Sequence, residues 1–413
     1  MPSNKRHIVL LTTYYPPIQS VAVNRMLAFA KYLNKQYFQL TVVTLSKSNV
    51  SSDSLEADVR VIRLANVHWV KRKATVPGES RLKHTLKTTW NFLLNKLNYP
   101  EYPGWQKSAY NKLLSLHSQL PIDGIISSYA PVETHLVALA FCKTYNSVKW
   151  LADFRDEMSG NPYLSQKVRT YFKSIEAQLN ERVNAVSSVS EPIIENLKGL
   201  MPQVPHFLTI MNGYDHSYTF PYQFNPVFTI TMAGTFYGAS KPTTFFEGLE
   251  RFCSRTGHKV KIRFVGTSKN FAIPDFIKSD VDFIERVTQD EALRFMAESD
   301  ANLMVLPIVE WKGVYSGKLF DYLSVFKPII AVVDTTDVAA KLIKKCNAGF
   351  VANFNQVHEI DQAIEEAYRL WEQHQELQTD KNYIQTLHRK NGVEKLNQLL
   401  INLFANEIVS SRT

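Results

Sequence analysis

Apolar residues in this chain come in short runs, and each run is followed by a segment with helical spacing. Residues 7–12 read as a buried strand, and a Tyr-Tyr-Pro-Pro turn then leads to a helix over 21–33. Val23, Leu27, Ala30 and Leu33 share one face of that helix, as a core-facing stripe requires. Further strands are predicted at 39–45, 59–64, 122–127, 148–152, 183–187 and 207–211, with a helix over 132–145. The pattern restarts at Val227. Strands at 228–233, 260–265, 301–306 and 328–333 alternate with helices near 241–255, 288–298 and 336–345. Alternation on this scale predicts a mostly parallel sheet covered on both faces, twice over.

The turn Met211-Asn-Gly-Tyr-Asp-His216 and the proline-bearing segment 220–226 mark the boundary between the two patterns. The expected division is 1–212, then 213–388, with a C-terminal helical stretch at 389–413 free to pack back on the first domain. Two doubly wound domains facing one another are expected to bind ligand in a central cleft, outside the carboxyl ends of their strands.

The chain has 413 residues, too many for one ordinary α/β core. Cys142, Cys253 and Cys346 are isolated, which argues against a disulfide framework and a cysteine-based zinc site. His, Asp and Glu spacing gives no convincing metal cluster, so no metal site is assigned. No run is long and apolar enough for a membrane span, and the first apolar run is too short for a signal-peptide core. A cytoplasmic protein is the expectation.

Charge is uneven. Residues 1–210 carry 25 Lys/Arg against 14 Asp/Glu, and residues 60–112 alone carry 11 against 2. Within 68–107, Lys71, Arg72, Lys73, Arg81, Lys83 and Lys87 are interleaved with Trp69, Trp90, Phe92, Tyr99, Tyr102 and Trp105. Aromatics amid cations suit an anionic membrane interface or a lipid pyrophosphate. An ordinary basic surface loop has the same composition. Nucleic acid is disfavoured because no recognisable nucleic-acid module accompanies the segment.

Candidate chemistry concentrates in Tyr315-Ser-Gly-Lys-Leu-Phe-Asp-Tyr-Leu-Ser324. A helix opening at Ser316 and Gly317 presents unpaired N–H groups suited to a phosphate. Lys318 adds a full charge there, and Asp321 shares its helix face, where a carboxylate can accept both hydroxyls of a ribose. The same spacing also fits a solvated surface pair. Gly234, Thr235 and Lys241 form a second candidate, at the turn that follows a strand, and Gly266, Thr267 and Lys269 repeat it. Neither turn carries a dinucleotide fingerprint or a P-loop. In the first domain, Arg155 anchors its loop or approaches an anionic group, and Asp153 and Asp156 orient it or handle an acceptor hydroxyl; an internal Arg–Asp network is the alternative. His135 is a lone candidate in a helix. Gln19, Ser20, Asn24 and Arg25 follow the first strand and read either as polar ligand contacts or as helix caps.

Taken in order, these pieces resemble bacterial glycosyltransferases of the two-domain GT-B fold, in the style of family 4. They are 11–17, Ala152-Asp-Phe-Arg-Asp156, Asn212-Gly-Tyr-Asp215, Ala233-Gly-Thr-Phe-Tyr237, Phe264-Val-Gly266 and 316–323. The resemblance implies two Rossmann-like domains around a central cleft, a nucleotide-sugar donor on the second and a glycan or lipid-linked acceptor on the first. Asp321 matches the acidic residue on the donor ribose, Lys318 with Ser316 and Gly317 the diphosphate-binding helix start, and Gly234 the sugar-phosphate approach. Asp156 and His135 align with positions near acceptor and transferred sugar. Family members often carry two glutamates eight apart. Here Gly313 precedes Asp321 by that interval, and nearby Glu310 is the substitute contact to sugar hydroxyls.

The implied reaction is retaining sugar transfer in cell-surface polysaccharide synthesis, at the inner face of the membrane and without an obligatory cofactor. A nucleotide-sugar epimerase of similar shape, or a non-catalytic glycan or nucleotide-sugar binding protein, is the alternative.

Overall fold

Alternate residues of β1 (Arg6–Leu11) enter two different cores: Val9 and Leu11 pack on one side of a sheet, Ile8 and Leu10 on the other. This is the period-two geometry of a strand buried on both faces. The computed structural model describes residues 5–18, 20–48, 50–68, 80–96, 100–236 and 241–410. The chain forms two units, Met1–Met211 with Gly392–Thr413, and Asn212–Asn391.

In the first unit β1 is followed by α1 (Val21–Tyr32), β2 (Phe38–Leu45), β3 (Ser52–Glu56) and β4 (Val59–Leu64). Then come α2 (Arg81–Lys96), α3 (Pro103–Gln119), β5 (Gly124–Tyr129), α4 (Glu133–Thr144) and β6 (Lys149–Phe154). The unit continues with α5 (Gln166–Asn180), β7 (Ala185–Ser188), α6 (Glu191–Leu200) and β8 (His206–Thr209). The eight strands form one sheet in the order β3-β4-β2-β1-β5-β6-β7-β8. All pairs are parallel except β3 with β4, a hairpin turned through Ala57 and Asp58 at φ 46° and 64°. The periodicity at 59–64 announced β4. Its partner β3 is short and largely exposed and gives no such signal.

One face of this sheet is covered by side chains of α3, α4, α5 and α6, among them Trp105, Leu113, Phe141, Leu179 and Ile193. The other face takes Met26, Phe29 and Leu33 of α1. Val393, Leu396, Leu400 and Phe404, from the final helix, complete that second layer.

The second unit runs β9 (Thr229–Ala233), α7 (Thr243–Thr256), β10 (Lys261–Val265), β11 (Val281–Ile284), α8 (Gln289–Ala297) and β12 (Ala301–Val305). It goes on with α9 (Gly317–Ser324), β13 (Ile329–Val333), α10 (Val338–Lys345), β14 (Gly349–Asn353), α11 (Val357–Glu372) and α12 (Lys381–Thr386), and α13 (Arg389–Ser410) leads back into the first unit. Its six strands are parallel in the order β11-β10-β9-β12-β13-β14. The reversal of winding falls between β9 and β12, so the loops after those strands are where such a sheet offers a ligand its backbone.

Candidate functional site

The turn after β9 and the start of α9 meet. Ser316 holds the N-cap position at φ −69° and ψ 135° but makes no side-chain cap bond, so its hydroxyl leaves the first-turn N–H groups to other partners. Lys318 folds across to β9, and its Nζ donates to the Thr235 carbonyl at 2.6 Å. Gly234 makes room for that path. It stands at φ +89°, and a Cβ there would lie 2.7 Å from Lys318 Cε. The turn is held from the other side as well: Gly234 N donates to Val265 O at 2.7 Å, and Thr267 Oγ1 to Gly234 O at 2.6 Å. The phenol of Tyr322, fully buried on α9, accepts from Ala233 N at 3.0 Å and fixes the helix to the strand end.

Burial lowers the pKa of the Lys318 ammonium to about 8, so it is charged at neutral pH and loses that charge within reach of physiological values. Asp321 lies one turn deeper. Burial raises its carboxyl to about 6, against smaller opposing effects of Arg389 and the Gln289 side chain. Gln289 Nε2 stands 3.5 Å from Asp321 Oδ1. Sequence reading missed Gln289, yet a signal was present: Thr288 and Glu291 form a reciprocal capping box that puts Gln289 in the first turn of α8. At the far end of α9, Ser324 Oγ bonds the Asp321 carbonyl and His216 Nε2, both at 2.7 Å.

Ser316, Gly317, Lys318, Asp321, Gly234 and Thr235 thus come together in the second unit. Gly266, at φ +66°, lies beside them through the Val265–Gly234 bond. The Thr267 hydroxyl is spent on the Gly234 carbonyl, and Lys269 lies over the Phe283 ring at 4.9 Å, so neither points to a free ligand position. Lys241 lines a groove of about 330 Å³ with Glu247, Glu250, Phe246 and Phe271. Two carboxylates make that groove a poor diphosphate site. Glu310 is exposed. Its neighbour Lys312 pairs with Asp334, which holds that carboxyl down at about 2.

The first unit holds a different constellation. Asp153 is 0% exposed and receives Arg25 Nη2 at 2.6 Å, Ser187 Oγ at 2.7 Å and Ser128 Oγ at 2.9 Å. Burial pushes this carboxyl up, but the Arg25 charge and the three donors outweigh it and the net shift is downward. Arg25 also donates to the Ile210 carbonyl at 2.6 Å. It therefore faces inward to a carboxylate and offers no charge to an incoming anion. Ser20 caps α1 through Ala22 N at 3.3 Å. Gln19 lies outside the described residues.

Arg155 binds the carbonyls of Tyr129 and Ala130 at 3.0 and 3.1 Å and stacks over Tyr14 at 4.9 Å, so it ties the loops after β1, β5 and β6 together. Asp156 beside it is half-buried, and burial raises its carboxyl above the ordinary range. His135 does not reach a surface. It is 0% exposed, with Nδ1 bonded to Ser127 Oγ at 2.7 Å and its ring against Phe154 at 4.8 Å, and burial lowers its imidazole to about 3. That is the setting of a neutral packing histidine. Among the described residues no group of three or more His, Cys, Asp or Glu is placed to hold a metal, and no helix is long and apolar enough to cross a membrane. Trp69, Lys71, Arg72, Lys73 and Tyr99 of the basic segment, with Tyr237 and Gly238, lie outside the described residues.

No protein-family model matches the chain, and no curated protein matches it by sequence. Solved structures do match by fold. Sucrose-phosphate synthase from Thermosynechococcus elongatus aligns with TM-score 0.64 at 12% identity, covering 97% of this chain and 100% of that one. A glycosyltransferase from Rickettsia africae gives 0.63 at 12%, covering 98% and 100%. HepE of Anabaena, solved in complex with UDP and glucose, gives 0.55 at 12%, covering 97% and 100%. The chain has the GT-B fold.

Proposed function

We propose that the protein transfers a sugar from a nucleotide diphosphate donor to a hydroxyl of a glycan or lipid-linked oligosaccharide. The observation that carries this reading is the placement of Lys318 and Asp321 one turn apart on α9, with the lysine resting on the bare Gly234–Thr235 turn. A donor diphosphate would take the place of the Thr235 carbonyl as partner of the ammonium, beside the uncapped first turn of the helix. Ribose hydroxyls would donate to the Asp321 carboxylate, with Gln289 as its neighbour. Gly234 would let the backbone approach the sugar-phosphate portion.

In the chemical step the bond from anomeric carbon to phosphate oxygen breaks with its electron pair leaving on the diphosphate. The acceptor oxygen bonds that carbon and gives up its proton. Lys318 and the α9 N-terminus would stabilise the charge gathering on the diphosphate, a group worth roughly a hundredfold or more in rate when it meets charge formed in the transition state. Asp156, its carboxyl made more basic by burial, is assigned to the acceptor proton. His135 enters only as support for the packing around the loop after β5. Retention of configuration, with the first unit as acceptor domain and the second as donor domain, belongs to the same reading. So do a family 4-like mechanism and a role in surface polysaccharide synthesis at the cytoplasmic membrane face. The UDP and glucose of HepE support a nucleotide-sugar donor.

The test is a screen of nucleoside diphosphate sugars, with and without lipid-linked acceptors. Acceptor-dependent release of the nucleoside diphosphate is the expected result. Interconversion of the sugar without acceptor, or binding without turnover, overturns the reading.

A further inference from the structure

The helix α2 presents an apolar stripe to solvent. Leu82, Leu86 and Leu93 are 73%, 63% and 46% exposed. Steps of four and seven residues return to one side of a helix, so the three leucines lie in a single line. Leu94, about 100° round the helix from Leu93, is 3% exposed, so the buried side chain lies off the line of the stripe. A solvated surface helix turns its leucines inward and mixes both signs of charge outward. This one leaves three of its four leucines outward and carries charge of one sign. Residues 81–96 contain Arg81, Lys83, Lys87 and Lys96 and no Asp or Glu.

We propose that α2 lies in the plane of an anionic membrane, with its leucine stripe in the boundary between head groups and acyl chains. Charge complementarity selects that occupant. Head-group phosphates answer a cationic helix that carries no carboxylate, while the acyl boundary takes the leucines. Lys83, next to Leu82 on the helix, is exposed as well. The inference deepens the transferase reading by naming the surface from which a lipid-linked acceptor is drawn, and it rests on that reading for the acceptor alone.

Sedimentation with lipid vesicles tests it on the full-length protein. Vesicles containing phosphatidylglycerol should retain the protein at least about tenfold better than pure phosphatidylcholine, and added salt should weaken the retention. The combined Leu82→Gln, Leu86→Gln and Leu93→Gln variant should lose about tenfold or more of that partition while its melting temperature holds, because the three side chains are exposed. Lys83→Glu with Lys87→Glu should remove the preference for anionic lipid. Undiminished partition of the leucine variant overturns the proposal. So does a leucine-dependent dimer in solution, or binding to single-stranded RNA with none to vesicles. Nucleotide release with a water-soluble acceptor should be the same in all these proteins. Its absence from the parent would count against the transferase reading and leave the vesicle result standing.

Discussion

Lys318 and Thr235 are 83 residues apart in sequence, and the lysine ammonium donates to the threonine carbonyl at 2.6 Å. The bond holds a half-buried cation at the mouth of a strand, on the partner that a donor diphosphate replaces in the proposed reaction. Lys318→Met should therefore lower transfer by about a hundredfold or more while leaving the fold intact. Steady-state kinetics beside thermal melts check this, and equal turnover in the two proteins would remove Lys318 from the reaction.

The pH profile of kcat/KM should be a bell, since it reports the free enzyme. Asp321 loses its charge as pH falls through about 6, and Lys318 loses its own as pH rises through about 8. Asp321→Asn should flatten the acid limb and Lys318→Met the alkaline limb. The stability signs run differently. The raised Asp321 value gives the fold a contribution present below the ordinary 3.8 and lost as pH rises through about 6. The depressed Lys318 value is a burial penalty, in force below about 8 and relieved as pH climbs towards the ordinary 10.5.

Asp321→Ala should weaken nucleotide binding by roughly tenfold to a hundredfold, the cost of lost hydrogen bonds to a charged group. Titration calorimetry with a ribonucleotide and its 2′-deoxy form reads it directly. The parent should prefer the ribonucleotide, and the variant should not. Unchanged affinity would reject the ribose contact.

Gly234→Ala should disturb the site through geometry alone. The new Cβ would sit 2.7 Å from Lys318 Cε on a backbone at φ +89°, a strain of roughly 1–3 kcal/mol. Gly199→Ala is the contrast. It lies in α6 with nothing within 4 Å of the added carbon, and should stabilise by up to about 1 kcal/mol. Activity should fall for the first variant and hold for the second.

Asp153→Ala should destabilise the first unit by about 3–5 kcal/mol, because the Arg25 charge is left buried without its carboxylate. Arg25→Met with Asp153→Leu should recover most of the loss in denaturant unfolding. Asp153 has a lowered value, so its contribution is present above the unfolded carboxylate range and lost as pH falls through the folded one. Acid unfolding of the parent should accordingly be steeper than that of the double variant.

Periodicity is a local property, and what it reports was readable from the chain: the alternation of apolar strands with helices, the restart at Val227, and a helix opening at Ser316 with Lys318 and Asp321 on one face. Each depends on neighbours within a few residues. Partner choice does not. Asp153 stands two residues from Arg155, yet its cation is Arg25, 128 positions away, because β6 and α1 bring those two side chains together in the buried interior. His135 sits in a helix whose sequence says nothing of Trp150 or Phe154, and their rings enclose it. The same holds for β3, which is a strand only because β4 supplies its hydrogen bonds, and for α13, whose leucines find their core against β1. Local spacing determined which residues could form the elements and the candidate site. Long-range packing alone decided which partner each charge found, Arg25 for Asp153 and the Thr235 carbonyl for Lys318.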